Sequence, residues 1–170
     1  MDTSNKELRI TRVFDSPRVR VWKAWTDPTE IMKWWGPEGF TAPVCKVDLR
    51  VGGKYLYCMR GSAGPDQPVM DFWSGGTYQE IVPYEKIVCT DGFANEKGDV
   101  IEPATYGMPA DFPRENIVTI SFEDVEEGKK TRLTILYVAE SDAALKAMID
   151  AQMKEGWETS LDKFAASLKA

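Results

Sequence analysis

The stretch SDAALKAMIDAQMKEGWETSLDKFAASLKA, residues 141–170, closes the chain and decides its fold. Apolar residues recur in it at spacings of three and four, which places them on one face of an α-helix. They are Leu145, Met148, Ile149, Met153, Trp157, Leu161, Phe164 and Leu168. Ser141 precedes Asp142, and a serine here is a good N-cap. The stretch therefore predicts one long amphipathic helix.

The chain before this helix has mostly strand character, with apolar runs separated by turn-forming residues. The predicted strands cover residues 8–14, 41–49, 54–60, 69–82, 86–90, 116–125 and 131–139, and two short helices, 17–25 and 28–34, follow the first strand. Because most connections are short, the strands should form an antiparallel meander. Gly75-Gly76 predicts a bulge or kink within the longest strand.

The apolar face of the helix has to pack on this sheet, since water cannot satisfy it. A chain of 170 residues is long enough for one well-cored domain and short for two. We therefore expect an α+β fold in a single domain over residues 1–170. A curved antiparallel sheet of about seven strands would wrap around the C-terminal helix, with two short helices after the first strand.

Composition excludes several classes of function. The net charge of −6, with no basic cluster, argues against a nucleic-acid partner. No apolar run is long enough to span a membrane, and the N-terminus lacks a signal-peptide pattern, so we expect a cytoplasmic protein. The chain has no histidine, which excludes histidine-based catalysis and imidazole metal sites. The three cysteines match no metal-site spacing, and buried thiols are expected. We expect no metal and no cofactor.

One long segment, residues 91–114, does not fit the meander. It contains Gly, Pro, Asn and Asp throughout, yet it keeps the apolar residues Phe93, Ile101, Tyr106, Met108 and Phe112. Long loops in compact domains are often functional, and disordered segments are depleted in aromatic residues. We therefore expect the 91–114 segment to be a packed flap.

Strand alternation predicts which side chains meet beneath the helix. Tyr55, Tyr57 and Met59 share one face of their strand, and Leu56 and Cys58 share the opposite face with charged neighbours. We expect the first set to face the helix. The candidate ligand-binding residues are Trp34, Trp35, Tyr55, Tyr57, Met59, Phe72, Tyr78, Phe93, Tyr106, Met153, Gly156 and Trp157.

Two positions among these candidates leave alternatives open. Gly156 lies inside the predicted helix at a cost of about 1 kcal/mol relative to alanine. Either the sheet approaches closely there, or the missing side chain makes room for a guest. Trp34 and Trp35 point about 100° apart on a helix. One of them should therefore pack inward, and the other should lie at the mouth of a cavity or support the following loop.

The local motifs resemble those of the activator of Hsp90 ATPase homologue 1-like family. They are Ala24-Trp25-Thr26-Asp27-Pro28, Trp34-Trp35-Gly36-Pro37, Gly39-Phe40, Asp48-Leu49-Arg50 with Gly52-Gly53, Met59-Arg60-Gly61, and Gly156-Trp157 with Leu161. The resemblance implies the helix-grip fold of the START-like, birch-pollen-allergen-like superfamily. That superfamily includes lipid carriers, hormone receptors, cyclases and chaperone cofactors, so the fold alone leaves function open.

The leading hypothesis is binding of a small hydrophobic or aromatic molecule between the C-terminal helix and the sheet, with no catalytic residue assigned. An enzyme is the first alternative, in which a carboxylate and a tyrosine act together in the cavity. Asp71, Glu80 and Asp91 are its candidate carboxylates, although outward, solvated positions are expected for each. An interaction module is the second alternative, either chaperone-linked or a homodimer, using the outer sheet surface at Leu56 and Cys58. Because the eukaryotic chaperone activator has a further N-terminal domain, we rank an Hsp90-stimulating role below ligand binding.

Overall fold

The computed structural model describes residues 6–169 and contains a seven-stranded antiparallel sheet. Its strands are β1 (Glu7–Phe14), β2 (Thr41–Val47), β3 (Lys54–Ser62), β4 (Val69–Val82), β5 (Lys86–Ala94), β6 (Asn116–Val125) and β7 (Lys130–Val138). Its helices are α1 (Arg18–Thr26), α2 (Pro28–Ile31), α3 (Asp142–Asp150) and α4 (Met153–Ser167), with a short 3₁₀ helix at Pro103–Tyr106. The predicted α+β class and the seven strands are confirmed.

The sheet order is β1-β7-β6-β5-β4-β3-β2, so every strand from β2 to β6 lies beside its successor in sequence. The first strand closes the arrangement by pairing with the last, with Ile10 opposite Ile135. Strands β1 and β2 form the two edges of the sheet. The helical segment 18–31 bridges these edges, and the meander is the expected result of short connections.

The bulge predicted at Gly75-Gly76 occurs within β4, but about two residues further along the strand. The register of β4 against β5 shifts between Tyr78 and Glu80. The two glycines allow neighbouring strands to approach closely. A Cβ on Gly76 would lie 1.9 Å from the carbonyl oxygen of Thr90, and one on Gly75 would lie 2.5 Å from that of Tyr55. The glycine pair therefore relieves steric conflict within the sheet.

The predicted single C-terminal helix is two helices. The serine cap is confirmed, because the side chain of Ser141 accepts a hydrogen bond from Ala144 N at 3.0 Å. The helix then breaks at Gln152, whose φ of 59° and ψ of 38° lie in the left-handed region. Because of this break, the apolar positions of α3 and α4 do not lie on one continuous helix face. Ile149 is 55% exposed and does not share the apolar face. Ala170, the last residue of the predicted helix, lies outside the described residues.

Smaller corrections concern the first helices. Helix α1 begins at Arg18, one residue later than predicted, with Pro17 at its N-cap and no side-chain cap. Helix α2 is a single turn that ends at Ile31, and its cap is Asp27, which accepts from Thr29 N at 2.9 Å. The turn-like residues 32–34 follow it.

The core forms where α4 meets the sheet and α1. Phe164 is fully buried, and its ring lies 5.0 Å from Phe14, 4.9 Å from Trp34 and 5.5 Å from Trp25, measured between centroids. All three contacts are edge-on, the geometry that aromatic rings favour. Trp34 is also buried, and its indole N–H donates to Ala24 O at 2.9 Å. These contacts fix the C-terminal half of α4.

Over residues 6–169, no helix is both long enough and apolar enough to cross a lipid bilayer.

We expect Phe164→Ala to lower the free energy of unfolding by about 3–5 kcal/mol, because it opens a cavity among three aromatic rings. Urea unfolding measures the change. The control is Ile149→Ala on the neighbouring helix, which should change stability by less than about 0.5 kcal/mol because this side chain is exposed. Equal losses in the two variants would contradict the observed helix break.

Candidate functional site

A cleft of about 420 Å³ opens between the N-terminal half of α4, the inner face of strands β3 to β5 and the 91–114 segment. Its lining includes Trp35, Phe40, Met59, Phe72, Asp91, Phe93, Met108, Phe112, Asn116, Tyr137, Gln152, Met153, Glu155, Gly156, Trp157 and Ser160. The lining is mostly apolar and aromatic. At least six separate chain segments build it, so the cleft exists only in the folded protein.

The structure decides between the two interpretations of Gly156. A Cβ built on this residue would meet no atom within 4 Å outside its own helix turn. Close approach of the sheet is therefore not the reason for the glycine. The residue borders the cleft, and the absent side chain leaves space there.

A hydrogen-bonded group of four side chains lies at the floor of the cleft, and we call it the Asp91 network. Tyr137 donates from its hydroxyl to Asp91 Oδ2 at 3.2 Å, and Trp157 donates from Nε1 to the Tyr137 hydroxyl at 3.2 Å. The hydroxyl of Tyr55 lies 2.6 Å from Thr90 O and 3.4 Å from Asp91 Oδ1. The network joins β3, β5, β7 and α4.

Burial sets the protonation behaviour of this network. It raises the pKa of Asp91 above its usual value, although the hydrogen bonds from Tyr137 and Tyr55 act in the opposite direction. Burial is also the first cause that raises the pKa of Tyr55 and Tyr137, and the nearby Asp91 charge adds to it. The two phenols therefore stay protonated, and their hydrogens are directed at acceptors.

A second, much smaller void of about 30 Å³ lies behind the Asp91 network. Its lining includes Tyr55, Tyr57, Tyr78, Cys89 and Trp25. Such a volume admits one or two water molecules and no organic ligand. The larger cleft is therefore the candidate binding site.

The structure places the predicted site residues in four different parts of the fold. The cleft itself is lined by Trp35, Met59, Phe72, Phe93, Met153, Gly156 and Trp157. The small void is lined by Tyr55, Tyr57 and Tyr78, together with Trp35 and Trp157. Trp34 lies in the core, while Trp35 lines the cleft, which is the division expected of adjacent tryptophans.

Tyr106 supports the 91–114 segment and does not line the cleft. Its ring packs 5.2 Å from Phe72 and 5.3 Å from Phe93, and its hydroxyl donates to Ala94 O at 2.8 Å. The expected packing of the segment is confirmed, although β5 extends to Ala94 and so includes its first residues. The segment therefore forms a wall of the cleft that is pinned to the sheet.

The candidate list omitted several lining residues. Tyr137 could have been found, because it alternates with Leu133 and Ile135 on the buried face of β7. Phe40 and Asn116 carried no comparable signal, since neither lies within an alternating run that distinguishes the cleft from the core. Asp91 is one of three candidate carboxylates, and no sequence pattern distinguishes it from Asp71 and Glu80.

The three carboxylates prove unlike one another. Asp71 is exposed and pairs with Arg60 at 2.7 Å, which lowers the pKa of Asp71. Glu80 is exposed and pairs with Lys86 at 2.9 Å. The solvated position expected for both is confirmed, whereas Asp91 is partly buried and borders the cleft. Its expected outward position is therefore wrong.

The outer sheet surface differs from the expectation. Leu56 is 7% exposed and Cys58 is fully buried, so the accessible position predicted for both is wrong. A Cβ on Gly98 would lie 3.8 Å from Leu56 Cδ2, so the 91–114 segment packs beside Leu56. These two residues cannot form an exposed docking surface.

The cysteines are free thiols, of which Cys58 and Cys89 are buried and Cys45 is half-buried. Burial raises the pKa of Cys58 to about 11 and that of Cys89 to about 12. Because the thiolate is the reactive form, these values disfavour a cysteine nucleophile. Within residues 6–169, no cluster of three metal-ligating side chains is present.

A long helix gripped by a curved antiparallel sheet, with a cleft between them, defines the helix-grip class of the START-like superfamily. The sequence profile of the family described as activator of Hsp90 ATPase homolog 1-like protein matches residues 15–169. The chain belongs to this family. The predicted family and fold are confirmed.

Solved structures of bacterial proteins agree with this assignment. A crystal structure from Mycobacterium smegmatis is 27% identical, covers 97% of this chain and 91% of its own, and has a TM-score of 0.78. A solution structure from Arthrobacter aurescens is 28% identical, covers 99% and 89%, and has a TM-score of 0.76. A crystal structure from Chromobacterium violaceum is 31% identical, covers 94% and 95%, and has a TM-score of 0.65. A comparison with curated protein sequences gives no match.

We expect Asp91→Asn to gain stability relative to the wild type as the pH rises. Burial raises the pKa of Asp91 in the folded chain above the unfolded value of about 3.9. Between the unfolded and the folded pKa, the folded state binds more protons than the unfolded state. The Asp91 contribution to the free energy of unfolding therefore falls as the pH rises. The substitution removes this penalty, and urea unfolding of both proteins from about pH 4 upward measures the difference.

The matched control for this prediction is Asp71→Asn. Arg60 lowers the pKa of Asp71, so this variant should show either no pH-dependent gain or a change of the opposite sign. A stability difference between wild type and Asp91→Asn that stays constant across the same pH range would show that Asp91 titrates normally.

Proposed function

We propose that the protein binds a small hydrophobic or aromatic molecule in the cleft beneath α4. The observation that carries the proposal is a cleft of about 420 Å³ lined mostly by apolar and aromatic side chains. Ligand sites in proteins have volumes of about 300–1,000 Å³ and combine an apolar lining with a few placed polar groups. Both features are present here.

The shape of α4 supports this proposal. Its C-terminal half is pinned by Phe164, whereas Gly156 in its N-terminal half has open space beside it. An interior glycine costs about 1 kcal/mol relative to alanine in a helix. No packing contact at Gly156 offsets this cost, so the position serves the open cleft better than it serves stability.

The walls also favour an aromatic guest. The ring of Trp35 packs edge-on against Trp157 at 5.5 Å, and Phe93 lies 5.8 Å from Phe112. All four residues border the cleft. Aromatic rings bind planar guests through stacked and edge-on contacts in addition to the area that they bury.

We expect the neutral fluorescent probe N-phenyl-1-naphthylamine to bind with enhanced emission and to raise the thermal unfolding midpoint. A ligand that binds only the folded state at 100 times its Kd adds about 2.7 kcal/mol to the free energy of unfolding. Gly156→Leu should weaken probe binding at least about tenfold by filling the cleft, since about 1.4 kcal/mol corresponds to tenfold. Because leucine is a better helix former than glycine, this variant should unfold no more easily than the wild type.

Lys154→Leu is the matched control, since it places the same side chain on an exposed position of α4. It should leave probe affinity unchanged. Probe binding that is equally strong in wild type and Gly156→Leu would exclude the cleft as the binding site, and no probe binding to the wild type would count against an apolar site altogether.

A second candidate function is an enzyme that uses Asp91 with Tyr55 or Tyr137. The specific observation in its favour is a carboxyl group of raised pKa that has two phenols within hydrogen-bond distance at the cleft floor. A raised pKa brings a carboxylate closer to the range in which it exchanges protons at neutral pH. The same group also serves binding, as an acceptor for a polar part of the ligand.

Native mass spectrometry separates the two functions. Compounds that copurify with the wild type and are depleted in Gly156→Leu are the cleft ligands. Binding alone returns such a compound unchanged after incubation with fresh protein. Conversion to a new mass by the wild type, and not by Asp91→Asn, would establish an enzyme.

The interaction module stays a prediction of lower rank, because Leu56 and Cys58 are buried and do not support a dimer surface. Light scattering tests the homodimer, and an Hsp90 ATPase assay tests the chaperone link.

A further inference from the structure

The two charged side chains that line the cleft are both carboxylates. Asp91 lies at its floor, and Glu155 lies on α4 beside the gap left by Gly156. Among the lining residues in the described part of the chain, none is lysine or arginine. The remaining polar residues of the lining, such as Asn116, Gln152 and Ser160, are uncharged. The cleft therefore provides no cationic side chain to balance an anionic ligand.

The hydrogens of the Asp91 network are already used within the protein. The Trp157 Nε1–H is donated to the Tyr137 hydroxyl, and the Tyr137 hydrogen is donated to Asp91. The single hydrogen of Tyr55 lies between Thr90 O and Asp91. None of these three donors is free for a ligand. The hydroxyl of Ser160 likewise donates to Gly156 O.

The acceptor capacity of the network is not used up. An ionised carboxylate has about four lone-pair sites on its two oxygens. Within the described residues, the Asp91 oxygens accept one side-chain hydrogen bond each, from Tyr55 and Tyr137. A donor on a ligand can therefore bind Asp91 without displacing either tyrosine. The floor of the cleft therefore presents hydrogen-bond acceptors, and it is negatively charged when Asp91 is ionised.

The aromatic walls of the cleft also attract cations. The rings of Trp35, Trp157 and Phe93 border the cleft, and the faces of aromatic rings attract cations. Burial disfavours the ionised form of Asp91, and a bound cation would offset that penalty by direct charge pairing. Both effects favour the same type of ligand.

We propose that the cleft selects apolar or aromatic molecules that carry a basic amine and discriminates against molecules of the same shape that carry a carboxylate, sulfonate or phosphate. Asp91 anchors the amine, and Glu155 contributes negative charge at the α4 side. This proposal rests on the proposed function, because it names the chemical class of molecule that the same cleft would bind.

Three probes that share a naphthalene body test it: 2-(1-naphthyl)ethylamine, 2-(1-naphthyl)ethanol and 1-naphthaleneacetic acid. Each competes with N-phenyl-1-naphthylamine at neutral pH and low salt, and isothermal titration calorimetry confirms the affinities. We expect the amine to bind at least about tenfold tighter than the acid, with the alcohol between them. An acid that binds as tightly as the amine overturns the proposal.

The same experiment distinguishes failure of the amine selectivity from failure of the proposed binding function. If the alcohol and the fluorescent probe bind while the amine has no advantage over the acid, the amine selectivity is wrong and the binding function stands. If none of the three probes binds and the fluorescent probe does not bind either, both fail together.

Asp91→Asn tests the anchor, because it removes the charge and keeps the shape. We expect the amine to lose at least about tenfold in affinity and the alcohol to change by less than about threefold. Asp71→Asn is the control, since it makes the same change in net charge on the exposed outer surface. It should leave all three affinities unchanged. An equal loss of amine affinity in both variants would show a general charge effect and overturn the role of Asp91.

Glu155→Gln provides a second variant that does not depend on the buried network. We expect a smaller reduction in amine affinity than for Asp91→Asn and a gain in acid affinity, because one of the two lining charges is removed. Unchanged amine and acid affinities in this variant would overturn the contribution of Glu155.

Discussion

The packing of Phe164 among Phe14, Trp25 and Trp34 is the contact on which the rest of the structure depends. It fixes the C-terminal end of α4 against the sheet, while the N-terminal half of the helix lines the cleft. The cleft is the space between this half of the helix and the strands. A helix packed on the sheet along its whole length would bury more apolar area and leave no cleft. The observed arrangement therefore has less buried apolar area and an open cleft.

Much of the fold could be predicted from sequence patterns that depend on local backbone geometry. Alternation in β3 places Tyr55 and Tyr57 correctly, because side-chain direction in a strand has a strict period of two. The helix break did not follow, since Gln152 adopts a left-handed conformation that glycine and asparagine more commonly signal. The accessibility expected of Leu56 is wrong because the 91–114 segment, a distant part of the chain, packs beside it. The inward position of Asp91 depends on tyrosines from two other strands, which sequence spacing cannot bring together.

The Asp91 network links architecture to chemistry. Its four members come from three strands and one helix, so it forms only when the sheet is curved and α4 is in place. The network orients its own hydrogens inward, and this orientation is maintained because burial keeps both phenols protonated. The fold accommodates many functions, and in this protein a few buried groups determine which hydrogen-bonding groups face the cleft.

The indole of Trp157 borders the cleft and also stacks on Trp25, with ring centroids 5.8 Å apart and planes inclined by 13°. Two near-parallel chromophores at this separation couple their electronic transitions. Trp35 and Trp34 extend the contact further into the core. A molecule that displaces the Trp157 ring should therefore change the exciton coupling between Trp157 and Trp25. It should also change energy transfer among the four neighbouring indoles. Ligand binding can then be followed by intrinsic circular dichroism and fluorescence, without an added label.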